Sequence, residues 1–248
     1  MTNKPVIVLC PMDCEYETIC ASLDGAKNGR FASFDYTSGT IDEQKVIAVK
    51  CLTGSVNASA AVMGFAMRET PLCVISQGTS GAHNKALKVG DIVLGENIVD
   101  NQLYFASPKA EGEGSDPSAW LYPGAEMLME NGKYKRVRIL HSDERLLRLA
   151  KRVKYDGGEV IGGTICSSDA WNREIDRINS IRASIGSDCE EMESFAAAQV
   201  CAMLHIPHIA VRVISNSEHH SEMKFSNESA ELCQNFCAEL IRLIAKEY

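Results

Sequence analysis

Acidic and amide side chains are concentrated in two short segments of the chain, at 190–193 and 215–218. The first segment has the sequence EEME and the second has the sequence SNSE. Carboxylates accept hydrogen bonds and protons, whereas hydroxyls and the asparagine amide both donate and accept. Side chains of these types therefore suit a polar pocket that binds a small ligand.

The residues between these two segments predict a helix followed by a strand. Residues 194–204 are rich in Ala and contain no Gly or Pro, which indicates a buried helix of about three turns. After Pro207, the β-branched residues of 209–214 predict an inner strand. Ligands of α/β sheets bind outside the carboxyl ends of strands, so we expect both polar segments to face one pocket. Acids before an apolar helix can also act only as favourable charges at its N-terminus.

The motif Glu191-Met192-Glu193 before a small-residue helix, followed by Arg212-Val213-Ile214-Ser215, resembles a known signature. It is similar to that of the nucleoside phosphorylase and nucleosidase superfamily, in particular the 5′-methylthioadenosine/S-adenosylhomocysteine nucleosidases. The resemblance implies that Glu193 binds the ribose hydroxyls. A carboxylate suits a vicinal diol because its two oxygens can accept both hydroxyl protons.

A second motif lies near the start of the chain. Residues 6–10 predict an apolar strand, and Ile19 and Leu23 at helical spacing predict the first helix. Between them, Pro11-Met12-Asp13-Cys14-Glu15 resembles the family's Ala-Met-Glu-Glu-Glu. This implies that Glu15 positions and deprotonates the attacking water. An exposed acid at a helix start is the alternative.

Two further segments resemble the family's substrate loops. Residues 77–82 (QGTSGA) resemble the Gly-Ser/Thr-Ala-Gly loop beside the ribose and the nucleophile, where small residues let backbone N–H groups approach a ligand. Residues 167–172 (SSDAWN) resemble the Ser-Gly-Asp-x-Phe segment, which implies that Trp171 stacks on the purine and that the Asn172 backbone bonds to it. Core packing is the alternative for Trp171. The resemblance implies the following substrate-binding residues: Met12, Thr79, Gly81, Trp171, Asn172, Glu191, Met192, Glu193, Ser215 and Phe225.

Asn216 departs from the family pattern, because relatives that act on adenine nucleosides carry aspartic acid after Arg-x-Ile-Ser. We expect Asn216 to be catalytic, but an amide cannot deliver a proton to the leaving base. Its donor and acceptor fit either adenine or a 6-oxopurine. Either the substrate is a 6-oxopurine nucleoside, or adenine leaves with help from another proton source. The candidates for that source are Asp169, Glu218 and His219.

The resemblance implies hydrolysis of a purine nucleoside, most closely methylthioadenosine or S-adenosylhomocysteine, with release of adenine. Bacterial phosphorylase relatives hold phosphate with arginines near the glycine loops, and no arginine occurs within 54–57 or 78–82. A purine nucleoside phosphorylase, a 6-oxopurine (inosine- or futalosine-like) nucleosidase and a non-catalytic nucleoside-binding or storage protein are the alternatives. We expect no cofactor and no metal. The family also implies a homodimer in which the neighbouring subunit partly covers the 5′ end of the substrate. We expect Met223 and Phe225, apolar residues with no obvious core role, to form part of that cover.

Length and composition bound the fold. Strands and helices alternate through 248 residues of 45% hydrophobic content. This predicts a single α/β domain over 1–248, in three layers (α/β/α) with a central mixed sheet. The sequence further predicts strands at 31–36, 45–49, 73–76 and 160–166, and helices at 58–68, after Asp143 and at 228–246. The polar span 102–136 predicts a surface excursion or a partner-contacting loop.

Net charge, apolar content and cysteine spacing indicate which classes of partner and which redox environment suit the protein. The net charge is −8 and no basic run occurs, which argues against a nucleic-acid partner. No apolar stretch approaches 18 residues and no signal-peptide core follows Met1, so we expect a soluble cytoplasmic protein without a membrane partner. The ten cysteines are dispersed without a Cys-x-x-Cys pair, which indicates reduced core residues, with Cys14 and Cys166 as possible exceptions.

Overall fold

The computed structural model of the protein describes residues 4–129, 131–220, 223–225 and 227–248. Strands and helices alternate along this part of the chain. The strands are β1 Val6–Cys10, β2 Asp24–Phe31, β3 Phe34–Ile41, β4 Gln44–Lys50, β5 Cys73–Ala82, β6 Ile92–Asp100, β7 Ala125–Leu128, β8 Tyr134–Val137, β9 Ile139–Leu140, β10 Val160–Ser167, β11 Cys189–Glu191 and β12 His208–Asn216. The helices are α1 Glu17–Ala21, α2 Ser55–Arg68, α3 Glu144–Ala150, α4 Ile175–Ile185, α5 Ser194–Met203 and α6 Asn227–Glu247, and 3₁₀ turns occur at Asp13–Glu15 and Pro117–Ala119.

One ten-stranded mixed sheet forms the centre of the molecule. Its strand order is β11-β10-β6-β12-β5-β1-β4-β3-β2, with β9 beside β6. The strand β12 runs parallel to β5 and antiparallel to β6. The short strand β11 pairs with β10 and also with β5. Because of this double pairing, β5, β12, β6, β10 and β11 form a closed ring of strands at one end of the sheet.

Helices cover both faces of the sheet. Alternate residues of β1 point to opposite faces, as the period of a strand requires. Val6 and Val8 pack in a cluster with residues of α1, α3 and α6, whereas Ile7 and Leu9 pack in a cluster with residues of α2 and α5. The predicted three-layer α/β/α arrangement around a mixed sheet is therefore confirmed.

Two local predictions were wrong. The predicted strand at 31–36 is split by a turn at Ala32 and Ser33 between β2 and β3. Ala32 has a φ of 50° and is not a glycine, so the position with positive φ carries no sequence signal, and Ser33 alone is a weak indicator of a turn. The glycine-rich segment 77–82, expected as a loop, continues the strand β5.

The excursion at 102–136 lies outside the main sheet. Its described residues form a 3₁₀ turn and the separate hairpin β7–β8, besides irregular backbone. The rings of Tyr104 and Trp120 stack with centroids 4.1 Å apart. Tyr134, in the hairpin, is three-quarters exposed. The segment is a surface excursion, as predicted.

The cysteines are all free thiols. Eight of them are buried, and Cys14 and Cys20 are partly buried. Burial raises the pKa of the thiols of Cys166 and Cys14, which favours the unreactive protonated form. Both residues therefore match inert packing. Among the described helices, none is both long enough and apolar enough to cross a membrane.

Candidate active site

A cavity of about 250 Å³ opens where β1, β5, β11 and β12 end or approach their ends. Its size is just below the ~300–1,000 Å³ range of small-molecule sites. Both polar segments, 190–193 and 215–216, reach it. Eleven of the twelve predicted site residues line it: Met12, Glu15, Thr79, Gly81, Trp171, Glu191, Met192, Glu193, Ser215, Asn216 and Phe225.

Glu15 is held at the bottom of this cavity with 1% of its surface exposed. Its Oε1 accepts hydrogen bonds from the backbone N–H of Thr79 at 2.6 Å and from the Thr79 hydroxyl at 2.9 Å. Its Oε2 accepts from the backbone N–H of Met12 at 2.9 Å. Burial raises the pKa of the Glu15 carboxyl, while the Thr79 N–H and Arg212 oppose the rise. A raised pKa makes the carboxylate a stronger base.

Gly78 explains why Glu15 can lie so close to the centre of the sheet. A Cβ atom on this residue would lie 2.5 Å from Nη1 of Arg212 and 2.8 Å from Oε1 of Glu15. No side chain fits between the two groups. The glycine therefore allows the arginine and the glutamate to approach each other.

Arg212 lies in the middle of β12 and is fully buried. Its Nη2 donates to Oε2 of Glu191 and to the Ser194 hydroxyl, the latter at 3.1 Å. The same atom lies 3.4 Å from Oε2 of Glu193. Sequence analysis assigned no role to this residue. An arginine in the middle of an apolar β-branched strand was the available signal, because a buried charge needs a partner.

Glu191 connects this arginine to the start of α5. Its Oε2 accepts from the backbone N–H of Glu193 at 2.9 Å and from that of Ser194 at 2.8 Å. The carboxylate thus caps the helix and pairs with Arg212. Its Oε1 has no hydrogen-bond partner among the described residues, so one oxygen remains for a ligand.

Glu193 occupies the wall next to the glycine turn before α2. Its Oε1 accepts from the backbone N–H of Gly54 at 2.9 Å. Burial raises the pKa of Glu193 to about 8, Arg212 lowers it, and the neighbouring Glu191 raises it further. Each oxygen keeps a lone pair for an additional donor, as two vicinal hydroxyls would require.

Asn216 ends β12 at the opposite end of the cavity and is buried. The Ser215 hydroxyl lies 2.9 Å from Asn216 Oδ1, to which it donates. A Cβ on Gly81 would lie 3.5 Å from Asn216 Nδ2, so the small residue gives the amide room. With Oδ1 engaged by Ser215, the amide presents Nδ2 as a donor.

Two aromatic residues form the rim of the cavity. Trp171 is 62% exposed and Phe225 is 40% exposed, and their rings meet edge to face with centroids 6.5 Å apart. An exposed tryptophan at the mouth matches the predicted stacking surface better than core packing. Met223 differs from the prediction, because it packs against the hydrophobic cluster around Val93 and Ile165 and so has a core contact.

Asn172 is the predicted site residue that does not line the cavity. Its backbone N–H donates to Oε1 of Glu190 at 2.8 Å, and its Nδ2 donates to Oε2 at 2.7 Å. The N–H expected to bond to the base is therefore directed to a glutamate. Glu190 itself lines the cavity and is 6% exposed.

The three candidate proton sources do not line the cavity either. Asp169 accepts from the backbone N–H and the hydroxyl of Ser55, both at 2.7 Å, at the start of α2. Glu218 pairs with Arg173 at 3.1 Å. Burial lowers the pKa of His219, which opposes its protonated form. None of them is placed to protonate a bound base.

Glu190 and its neighbour His83 are two further residues of the site that were not predicted from the sequence. His83 Nε2 lies 3.1 Å from Glu190 Oε2, and His83 Nδ1 lies 2.7 Å from the Ser187 hydroxyl. His83 and Ser187 are both buried. His83 and Ser187 are 104 positions apart in the sequence, and the pairing of β11 with β5 brings them together. No group of three or more potential metal ligands occurs in the described part of the chain.

A model of the phosphorylase superfamily matches residues 5–245. The 5′-methylthioadenosine/S-adenosylhomocysteine nucleosidase of Haemophilus influenzae is 30% identical over 189 residues, 75% of each chain. The chain belongs to this superfamily and to its nucleosidase family. The nucleosidase of the same name from Lysinibacillus sphaericus is 29% identical over 85% of each chain.

A solved structure of a nucleosidase from this family agrees with the fold. The 5′-methylthioadenosine/S-adenosylhomocysteine nucleosidase of Neisseria meningitidis, in complex with methylthio-immucillin-A, has a TM-score of 0.78 and 26% identity. The match covers 96% of this chain and 99% of that one. The family resemblance inferred from the motifs is therefore confirmed.

Proposed function

We propose that this protein hydrolyses the N-glycosidic bond of 5′-methylthioadenosine and S-adenosylhomocysteine. The products are adenine and a ribose that keeps its 5′ substituent. The observation that carries the proposal is that Glu15 and Glu193, two carboxylates with different partners, line one cavity. Relatives with these names act on the same two nucleosides.

Glu15 is the proposed water-activating base. Thr79 uses both lone pairs of Oε1, and the Met12 N–H uses one lone pair of Oε2. One lone pair of Oε2 remains to accept a proton from water. As the water oxygen bonds to C1′ of the ribose, its proton passes to Glu15. The C1′–N9 bond breaks and its electron pair leaves with the purine. The purine anion takes up a proton from solvent to become adenine, and Glu15 releases the proton that it accepted to solvent.

The ribose and the base are held by the two ends of the cavity. Glu193 would accept hydrogen bonds from the two ribose hydroxyls in its ionised form. Positive charge that develops on the ribosyl group is stabilised by the carboxylates around it. Asn216 Nδ2 would donate to N7 of adenine, which makes the purine a better leaving group without a proton transfer from the amide.

Water is favoured over phosphate as the nucleophile by the charges of the lining. Four glutamates line the cavity, namely Glu15, Glu190, Glu191 and Glu193. No described lysine or arginine lines it. The nearest buried cation, Arg212, is engaged by Glu191 and Glu193. A phosphate dianion would meet uncompensated negative charge there. This supports hydrolysis.

The direct test is product analysis with methylthioadenosine in phosphate-free buffer. We expect adenine and methylthioribose, at a rate that added phosphate does not increase. Release that depends on phosphate, with a sugar 1-phosphate as product, would show phosphorolysis instead. Binding without any release of base would favour a nucleoside-binding protein.

A 6-oxopurine nucleosidase is the second candidate function, and Asn216 is the observation that favours it. The donor Nδ2 would suit the O6 carbonyl of such a base, and Oδ1 could accept from a protonated N7. The same product assay with inosine and with 5′-methylthioinosine separates the two functions. We expect the adenine nucleosides to be cleaved faster.

We also propose that residues 1–248 act as one domain within a cytoplasmic homodimer. The main sheet takes strands from Val6 to Asn216, and ten unpaired thiols suit a reducing compartment. The exposed rim residues Trp171 and Phe225 offer an apolar surface that a second subunit would cover. Sedimentation as a fully active monomer at micromolar concentration would contradict the dimer.

A further inference from the structure

Glu190 lies at the base end of the cavity, next to Asn216. A Cβ on Gly81 would lie 4.0 Å from Cγ of Glu190 and 3.5 Å from Nδ2 of Asn216. The two side chains therefore share one neighbour. Glu193, the proposed ribose clamp, contacts Gly54 instead. Glu190 is thus placed to meet the purine rather than the sugar.

The carboxylate of Glu190 is held in one orientation by donors. Asn172 donates to Oε1 from its backbone and to Oε2 from its side chain. His83 Nε2 lies 3.1 Å from Oε2 and has no other partner among the described residues. The two Asn172 donors fix the orientation of the carboxylate, whose oxygens accept these hydrogen bonds. Oε1 keeps a lone pair for a ligand.

We infer that Glu190 is a specificity-determining residue that accepts a hydrogen bond from the exocyclic amino group of the purine. This rests on the proposed function. On adenine, the N7 acceptor stands next to the N6 amino donor. Asn216 Nδ2 would donate to N7 and Glu190 would accept from N6, so the two residues together match that edge of the base. Glu190 transfers no proton in this role.

The same arrangement disfavours a 6-oxopurine bound in the same position. Its O6 carbonyl would face the Glu190 carboxylate, acceptor against acceptor. A purine with hydrogen at C6 would bury the remaining lone pair of Oε1 without the N6 donor, which costs binding free energy. Asn172 cannot supply the recognition from its N–H, because Glu190 already accepts that bond. His83 acts as a positioning residue through its contact with Glu190.

The test compares three substrates that differ only at C6: methylthioadenosine, its 6-hydrogen analogue and its 6-oxo analogue. We expect the parent protein to prefer the 6-amino substrate over the 6-hydrogen one by about 100-fold in kcat/KM. Glu190→Gln should lower kcat/KM for the 6-amino substrate by about 10- to 100-fold, and that for the 6-hydrogen substrate by less than about threefold. Glu96→Gln, at a partly exposed glutamate that pairs with Lys151 and does not line the cavity, serves as the matched control and should leave both values unchanged.

His83→Asn tests the positioning role, and it should reduce the same 6-amino preference while the 6-hydrogen rate stays within about threefold. The comparison of the three substrates uses only the parent protein, so it can overturn the inference even if Glu190→Gln does not fold. Equal kcat/KM of the parent for the 6-amino and 6-hydrogen substrates, a preference for the 6-oxo substrate, or an equal loss on all substrates in Glu190→Gln would overturn the inference. Release of no base from any substrate would instead overturn the proposed function, and the inference with it.

Discussion

The two ends of the cavity are built differently. At the ribose end, one arginine and three glutamates are buried together, and most of their oxygens already have protein donors. At the base end, Asn216 Nδ2 and one lone pair of Glu190 Oε1 remain for a ligand, and Trp171 is 62% exposed. The charged groups of the ribose end are therefore the more fully engaged by the protein, and the base end offers more groups to a ligand. Chemistry is thus set at one end and selectivity at the other.

Glu15→Gln should have the largest effect, because it removes the water-activating base from the ribose end without a change of shape. We expect kcat to fall by about 10³-fold or more. Affinity for a non-reacting nucleoside analogue, measured by calorimetry, should change little. Glu17→Gln, at an exposed glutamate two residues away, should keep full activity. Turnover of Glu15→Gln equal to the parent would remove Glu15 from the mechanism.

Arg212→Met tests whether the positive charge of Arg212 stabilises the buried glutamates at the ribose end. The change leaves buried glutamates without their cation, so we expect a loss of about 3–5 kcal/mol in the free energy of unfolding. Urea denaturation measures the loss. Arg148→Met, at a residue with 68% exposure of its side chain, should change stability by less than about 0.5 kcal/mol. A loss no larger than that of the control would contradict the proposed charge balance.

The raised pKa of Glu193 predicts that kcat/KM depends on pH. Its pKa of about 8 exceeds the ordinary 4.5, so the free protein holds a proton there at neutral pH. If the ionised form clamps the ribose, kcat/KM should rise about tenfold per pH unit below this pKa and level off above it. The same shift contributes stability that is fully present below pH 4.5 and is lost as the pH rises through about 8.

Glu193→Gln is the control for this dependence. It should damage both kcat and KM, and it should remove the rising limb of the profile. A rise that persists unchanged in the variant would assign the titration to another group.

Asn216→Asp, at the base end of the cavity, should have the smallest effect on activity. On methylthioadenosine we expect unchanged or up to about tenfold higher kcat, because a buried aspartic acid of raised pKa can carry the N7 proton. On a 6-oxopurine nucleoside the same change should lower activity. Asn131→Asp, in an exposed turn, is the control. A variant that gains on inosine and loses on methylthioadenosine would reverse the assignment of this end.

The positions of Glu15 and Glu193 could be predicted from the sequence, because both residues lie in short motifs next to strong strand and helix patterns. Glu15 follows an apolar strand, and Glu193 precedes a small-residue helix. The roles of Arg212 and Glu190 could not be predicted in this way. The partners of both residues come from segments distant in sequence. The strand β11, which carries Glu190 and pairs with β5, is only three residues long, so the sequence shows no recognisable strand pattern there.

The base end was predicted only in part. Trp171 lies at the mouth as expected, but the Asn172 N–H donates to Glu190, because a buried carboxylate needs donors. The split of the predicted strand at 31–36 has a similar cause. Ala32 adopts a positive φ that its sequence does not signal, and the hairpin contacts impose it.

The closed ring of strands has a consequence for how a ligand enters and leaves. A sheet with a free edge can widen a pocket when neighbouring strands separate, but β11 is hydrogen-bonded on both sides. Pairing on both sides restricts backbone motion of the walls at Gly81 and Glu190. Because Trp171 and Phe225 lie at the mouth of the cavity, we expect the residence time of a ligand to depend on how quickly these two side chains change rotamer.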